Sequence, residues 1–317
     1  MAQAWMRYLE VTLSSQKLKK TLRFGTSWMD NKDDLAIKVS GNKYMGSLKD
    51  ACTIEIKNLT YGEVLQIIKG EFYDVKVVCG YRGSNRQTIF DGGVLYITNS
   101  VNSAKTNTIV ILCASKLVAR YGQSMLNLTL NSGINMYSAV KFVCKRAGIN
   151  TALISNELVK TLIQQTINVN DNVGSWIQKL TQANGNLITN ADSSTNGNNI
   201  LSIFDAARTN SRVFKIDNSL IDLNAGYPRL TSDGLTLTVM PTQSFVCGDV
   251  IQIDNSIINM PVRSRSEIEK NYGKFIDDRG CYMIYEMQYT LTNRDSEFSL
   301  TITGKSRSLV SNFTGVK

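Results

Sequence analysis

Chemistry at a protein site starts from side chains that can hold or move a proton, and the most versatile of them is missing: the chain contains 0 histidines. That removes Ser-His-Asp and Cys-His nucleophile activation, the commonest general base and most zinc sites together. Carboxylate-only, lysine-based and carboxylate–metal chemistry survive this test, but no Walker-type phosphate loop and no calcium-loop spacing occurs. The cysteines Cys52, Cys79, Cys113, Cys144, Cys247 and Cys281 lie far apart, mostly inside apolar runs and with no CxxC pair. This is the pattern of buried free thiols rather than of metal ligands or disulfides. The stretch Gly80-Tyr81-Arg82-Gly83-Ser84-Asn85-Arg86 has the glycines of an anion-binding loop. It joins the strand-like run Val75 to Cys79 to a second strand and not to a helix, so it reads as a hairpin turn. The residues therefore predict no catalysis, no metal and no cofactor.

Charge is the next candidate for function. With 35 Lys+Arg against 26 Asp+Glu, the net charge of +9 permits contact with nucleic acid. The basic residues are scattered, however. The densest groups are Lys17-Leu18-Lys19-Lys20 with Arg23, and Arg263-Ser264-Arg265, and no helix carries a basic face interleaved with aromatics. A solvated or subunit-facing surface is the better reading. Arg263, Arg265, Lys270 and Lys274 belong to a mixed-charge excursion that is too polar for a core. It is either a flexible loop or a segment that orders against a partner.

The elements that would carry these residues are mostly strands. A chain of 317 residues, 43% hydrophobic and 19% charged with only 3 prolines, has room for two or three globular domains rich in Asn/Gly/Ser turns. Residues 1–116 read as about seven short strands suited to an antiparallel barrel, with Cys52, Ile54 and Ile56 alternating against Thr53, Glu55 and Lys57. Tyr61 to Ile68 reads as a short helix over a barrel end. Residues 117–211 form a small α+β unit. It holds one helix around Met136–Ala147 after Asn135 or Ser132, a second around Val173–Leu180 opened near Asn172, and a hairpin flanking the Asn/Ser-rich run 191–199. Trp176 sits at core spacing. Residues 212–317 return to strands. The longest alternation runs Met283, Tyr285, Met287, Tyr289 and Leu291 on one face, with Glu286, Gln288, Thr290 and Thr292 on the other.

Two stretches look like versions of one strand–turn–strand unit. Gly92 to Ile97 followed by Thr108 to Lys116 is matched by Tyr282 to Met287 followed by Phe298 to Lys305. A β module duplicated in this way predicts a building block of an assembly. The longest unbroken apolar run, Ile109 to Ala114, is far short of a membrane span. The first ten residues carry charges where a secretion signal needs its apolar segment, which predicts synthesis in the cytoplasm.

Three passages resemble the baseplate or tail hub proteins of tailed bacteriophages, including the late-control proteins of contractile tails. Asp50 to Leu59 is similar to an early strand of that family ending in Asn-Leu. Cys79-Gly80-Tyr81-Arg82-Gly83 followed by Ile89-Phe90-Asp91-Gly92 is similar to its glycine-rich hairpin. Gly234 to Pro241, then Gly248-Asp249 to Ile253, resembles the entry into its last β domain. Gly80, Tyr81, Gly83, Gly92, Gly234, Gly248 and Asp249 are read as structural turn positions, not as a binding site.

The resemblance implies a mainly β fold with a small α+β insert and two tail-tube-like antiparallel barrels. It implies a homotrimeric ring that adapts a hexameric tail tube to a trimeric spike in the virion baseplate, contacts other baseplate proteins, and lets DNA pass through its lumen. Two other readings stay open: another tube-derived component, such as a distal tail protein or the hub of a contractile injection system, and a basic OB-like nucleic-acid-binding protein.

Overall fold

A computed structural model describes residues 7–15, 17–25, 35–45, 50–81, 86–101, 107–115, 118, 125–154, 157–183, 187–190, 200–205, 212–231, 234–259, 276–277 and 279–306. The fold is mainly antiparallel β with a small α+β insert. The first β segment holds β1 (Arg7–Ser15), β2 (Lys20–Gly25), β3 (Ala36–Tyr44), β4 (Ala51–Leu59), β5 (Asp74–Tyr81), β6 (Gln87–Val101) and β7 (Asn107–Ser115). Between β4 and β5 lies helix α1 (Tyr61–Lys69), opened by a reciprocal capping box. There the Thr60 hydroxyl accepts from the Glu63 amide, while the Glu63 carboxylate accepts from the Thr60 amide. Val64 and Ile67 turn this helix onto the core.

The insert contains β8 (Met125–Leu130), α2 (Met136–Arg146), β9 (Asn150–Ile154), α3 (Glu157–Lys160), β10 (Ile167–Asn172), α4 (Val173–Ala183), β11 (Leu187–Asn190) and β12 (Ile200–Asp205). Asn135 caps α2 by accepting from the Ser138 amide, and Asn172 caps α4 by accepting from Ser175. The structure thus chooses Asn135 over Ser132 for the first cap and keeps the second at Asn172. Its core, around Val140, Val143, Leu158, Val169, Val173 and Ile177, is separate from the main one, and Trp176 packs against it.

The second β segment holds β13 (Val213–Ile216), β14 (Arg229–Thr231), β15 (Gly234–Val239), β16 (Val250–Ile253), β17 (Cys281–Thr292) and β18 (Phe298–Ser306). Among the described residues, all strands of the two β segments belong to one sheet, in the order β14-β15-β18-β17-β3-β4-β7-β6-β5-β1-β2. In addition β16 pairs with β17, and β13 with β16. One hydrophobic core runs through both segments, from Leu9 and Val11 to Leu300 and Ile302. The two β segments are thus joined through one sheet and one core.

Inside this sheet the two segments repeat each other. In the first, β5, β6 and β7 run consecutively and β4 lies beyond β7, with β3 outermost. In the second, β16, β17 and β18 run consecutively and β15 lies beyond β18, with β14 outermost. The hairpins match pair by pair. Gly92↔Ser115, Gly93↔Ala114 and Val94↔Cys113 precede a skipped Leu95, while Tyr282↔Ser306, Met283↔Lys305 and Ile284↔Gly304 precede a skipped Tyr285. A β-bulge at the same place in two ladders is a specific coincidence of backbone geometry. Just before it, the Val94 amide donates to Tyr73 at 2.9 Å and the Ile284 amide donates to Asp249 at 2.8 Å. The copies differ at their margins. β1 runs antiparallel to β5, whereas β13 runs parallel to β16, and α1 has no helical counterpart between β15 and β16.

The bulge also corrects the alternation read from the sequence. Met283 and Ile284 are both buried, Tyr285 is the extra residue, and regular alternation starts at Met287. Gly92 is not a turn position. It lies within β6 opposite Ser115, where a Cβ would collide with the Phe90 ring and the Ala114 carbonyl. Two strands simply approach too closely there for a side chain.

Candidate functional site

Among the described residues, those singled out in the sequence do not converge on a pocket. Gly80 (φ +155°) and Tyr81 end β5, Gly234 (φ +128°) opens β15, and Gly248 (φ +94°) precedes β16; Gly83, Arg263, Arg265, Lys270 and Lys274 lie outside the described residues. Asp249 has the most developed surroundings. Its carboxylate is fully buried and accepts from Arg212 Nε at 3.1 Å, Arg212 Nη2 at 2.6 Å and the Val246 amide at 2.8 Å. The guanidinium also lies 5.5 Å from the Phe214 ring centre. Asp249 is therefore a clamp: it fastens the start of β13 to the turn entering β16.

What the structure does bring together is the junction between the β segments. β3 and β17 pair antiparallel from Lys38↔Thr292 to Tyr44↔Glu286, and the Met45 amide donates to the Tyr285 carbonyl at 2.8 Å, so the bulge of β17 receives the end of β3. Midway, Gly41 faces Tyr289. The tyrosine ring covers the glycine so closely that a Cβ would meet its hydroxyl, and burial holds that hydroxyl well above the usual phenol range.

At the tip of the β17–β18 hairpin, Asn293 uses both ends of its amide. Its Nδ2 donates to the Leu35 carbonyl at 2.8 Å, and its Oδ1 accepts from the Ile37 amide at 2.8 Å. Arg7 donates to the carbonyls of Asp295 and Ser296 and lies over the Phe298 ring, which also meets Tyr81 edge-on at 5.4 Å. Lys38 and Glu297 close the group at 3.3 Å. Nothing in the sequence pointed to Asn293 or Arg7 in these roles. Asn293 reads only as a turn residue, because its partners are 256 and 258 residues away.

On the face of this joined sheet that points away from the core, two rows carry hydroxyls and amides, and the rows beside them hold the charged Lys38, Glu55 and Glu286. Register sets Thr238, Thr301, Gln288 and Asn42 in one row across four strands, and Ser299, Thr290, Ser40 and Thr53 in the next. Gly41, Ala51 and Tyr289 floor an open hollow between those rows. Among the described residues, no group of three or more His, Cys, Asp or Glu side chains could hold a metal, and no helix is long and apolar enough to cross a membrane. All six cysteines are free and buried. Burial pushes the thiols of Cys52, Cys79 and Cys144 up to about 12.

No family model matches the chain, and no curated protein matches its sequence. Solved structures do. A 43 kDa tail protein of prophage MuSo2 from Shewanella oneidensis is similar in fold, with a TM-score of 0.58 at 11% identity over 95% of this chain and 98% of that one. A tail protein from Neisseria meningitidis gives 0.55 at 10% identity, over 97% and 98%. A type VI secretion component of Escherichia coli, described as structurally similar to the T4 bacteriophage tail proteins gp27 and gp5, gives 0.54 at 9% identity over 85% and 73%. At such identities the likeness is one of fold: this chain has the fold of those tail and secretion-system proteins along most of its length.

Proposed function

We propose that this chain is the structural, non-enzymatic hub of a phage-type tail tip, acting as a ring of three copies that joins a hexameric tail tube to a trimeric central spike. One observation carries the reading. The two β segments share strand order and bulge position, and they stand side by side in a single sheet. Three chains, each holding two such units, offer six near-equivalent units to a six-fold tube while keeping three-fold symmetry for a spike. The units are the tube-like barrels of residues 1–116 and 212–317, with 117–211 as an appended α+β domain.

The face of the joined sheet that carries these rows of hydroxyls and amides suits a channel wall. Its Lys38 stands beside Glu55 and is paired with Glu297, so it holds passing DNA weakly and a genome can slide past. The partners are then a second and third copy, the tube protein, the spike and other baseplate proteins, in the virion tail. The similarity in fold to phage tail proteins supports this assignment.

Electron-microscopic reconstruction of the parent particle tests it. The chain is expected as three copies at the tube–spike junction, and a map with that junction resolved and the chain absent from it refutes the hub. The similarity to a type VI secretion component favours one second reading, the corresponding hub of a contractile injection machine. The same particles decide between the two, since a phage carries a DNA-filled head and an injection machine does not.

A further inference from the structure

The ring reading does not say which surface of one copy meets the next, and the edges of the large sheet supply that answer. β2 ends the sheet on one side and is guarded by Lys20 and Arg23, with Lys17 and Lys19 in the turn before it. β14 ends the other side, and its outward groups are already used. The Leu230 amide donates to the Asn259 carbonyl at 3.2 Å, and the Asn259 amide donates to the Pro228 carbonyl at 2.6 Å. β13 is four residues long and carries Lys215. Charges, short strands and local caps are the usual ways in which an edge is protected from pairing.

The outer half of β6 has none of these. Beyond Val94 it pairs only with β7 among the described residues, and the run Tyr96-Ile97-Thr98-Asn99-Ser100-Val101 contains no charge and no proline. Leu95 and Tyr96 keep 51% and 55% of their surface exposed. The internal repeat says what this edge is for. Tyr96 to Val101 correspond, bulge for bulge, to Glu286 to Leu291 of β17, and that stretch takes β3 along its free side. Because Met45 donates to Tyr285, the residues of β17 that turn their amides and carbonyls toward β3 are Met287, Tyr289 and Leu291. Their counterparts on β6 are Ile97, Asn99 and Val101.

We propose that residues 95–101 of β6 are the seam between copies: an extended strand of a second copy of this chain adds antiparallel to this edge, as β3 adds to β17 within one copy. The counterpart of β3 in that second copy is β14, so on association its Leu230 amide would exchange the Asn259 carbonyl for a carbonyl of this edge. Repeating the junction between chains as well as within them is what closes a ring from units that are nearly alike. The inference rests on the ring reading, but it can fail while that reading stands.

Asn99→Pro is the test, in the full-length chain. Proline removes one outward amide and adds bulk on that side, while the β6–β7 bonds made by the alternate residues remain. Sedimentation over a concentration series, with thermal unfolding as the folding control, should show wild type associating. The variant should associate about tenfold more weakly or worse, with little change in melting temperature. A second variant, Tyr96→Lys, guards the edge without touching the backbone and should weaken association likewise. If both variants associate like wild type, the seam lies elsewhere and the ring survives. A wild-type chain that stays monomeric at every concentration overturns the seam, and the particle reconstruction then judges the hub independently.

Discussion

Arg212→Ala separates two views of the clamp between β13 and the β16 turn. The two partners are unequal: the Asp249 side chain is fully buried, while Arg212 keeps 47% of its side-chain surface in water. If the exposed partner set the energy, the pair would rank with surface bridges and its loss would cost about 0–1 kcal/mol. The buried partner sets it instead. Without the guanidinium, a carboxylate that water does not reach keeps the Val246 amide and its remaining contacts but loses two charge-assisted bonds of 3.1 and 2.6 Å.

Breaking such a pair from one side costs about 3–5 kcal/mol when both partners are buried. Water entering the space left by the half-exposed arginine lowers this to about 2–4 kcal/mol. Asp249→Ala strands the Val246 amide and forfeits the same two bonds, for about 2–3 kcal/mol. The double variant should lose about 2 kcal/mol less than the sum of the singles, since the bond between them is counted twice. Arg212→Lys keeps the charge but not the fork and should cost about 1 kcal/mol. Urea midpoints followed by far-ultraviolet circular dichroism measure all four variants. A loss below about 0.5 kcal/mol for Arg212→Ala, with no coupling in the cycle, would refute the clamp.

Three other outcomes follow from groups in the core and at the junction. Lys43 is 3% exposed and its Nζ has no hydrogen-bond partner among the described residues, so Lys43→Met should raise stability by about 1–3 kcal/mol in urea. Gly41→Ala sets a Cβ against the Tyr289 ring where β3 meets β17; a loss of about 2 kcal/mol or more is expected, and Gly41→Ala with Tyr289→Leu should recover part of it. Burial raises the thiols of Cys52, Cys79 and Cys144 from 9.0 to about 12 in the folded chain. Their contribution to stability is therefore complete below pH 9 and is lost as the pH rises toward 12, because only the unfolded thiols then release protons. Alkaline urea titrations should show that fall, and a thiol reagent at pH 8 should label none of the three until urea is added.

Much of the local structure was legible in the residues. Asn135 and Asn172 announce helix starts because a cap is satisfied within three residues of itself. The paired stretches at Gly92 and Tyr282 were legible too as strand–turn–strand units, because a hairpin is written by neighbouring runs and the turn between them. The bulges at Leu95 and Tyr285 were not. An inserted residue changes which face follows it, yet it need not be any particular amino acid. Gly92 looked like a turn for a related reason: glycine is chosen both for unusual dihedrals and for close approach, and the letter is the same.

The junction was hidden altogether. Alternation in a strand reports which side chains meet the core, and Ile37, Val39, Met287 and Leu291 report that faithfully. The bonds that place β3 against β17 are made by backbone groups that every residue carries. The amino-acid order by itself thus determined the strands, the caps, the buried thiols and the duplication. Which strand edges meet was decided only when segments some 250 residues apart came together, as Asn293 and Ile37 do across 256 residues.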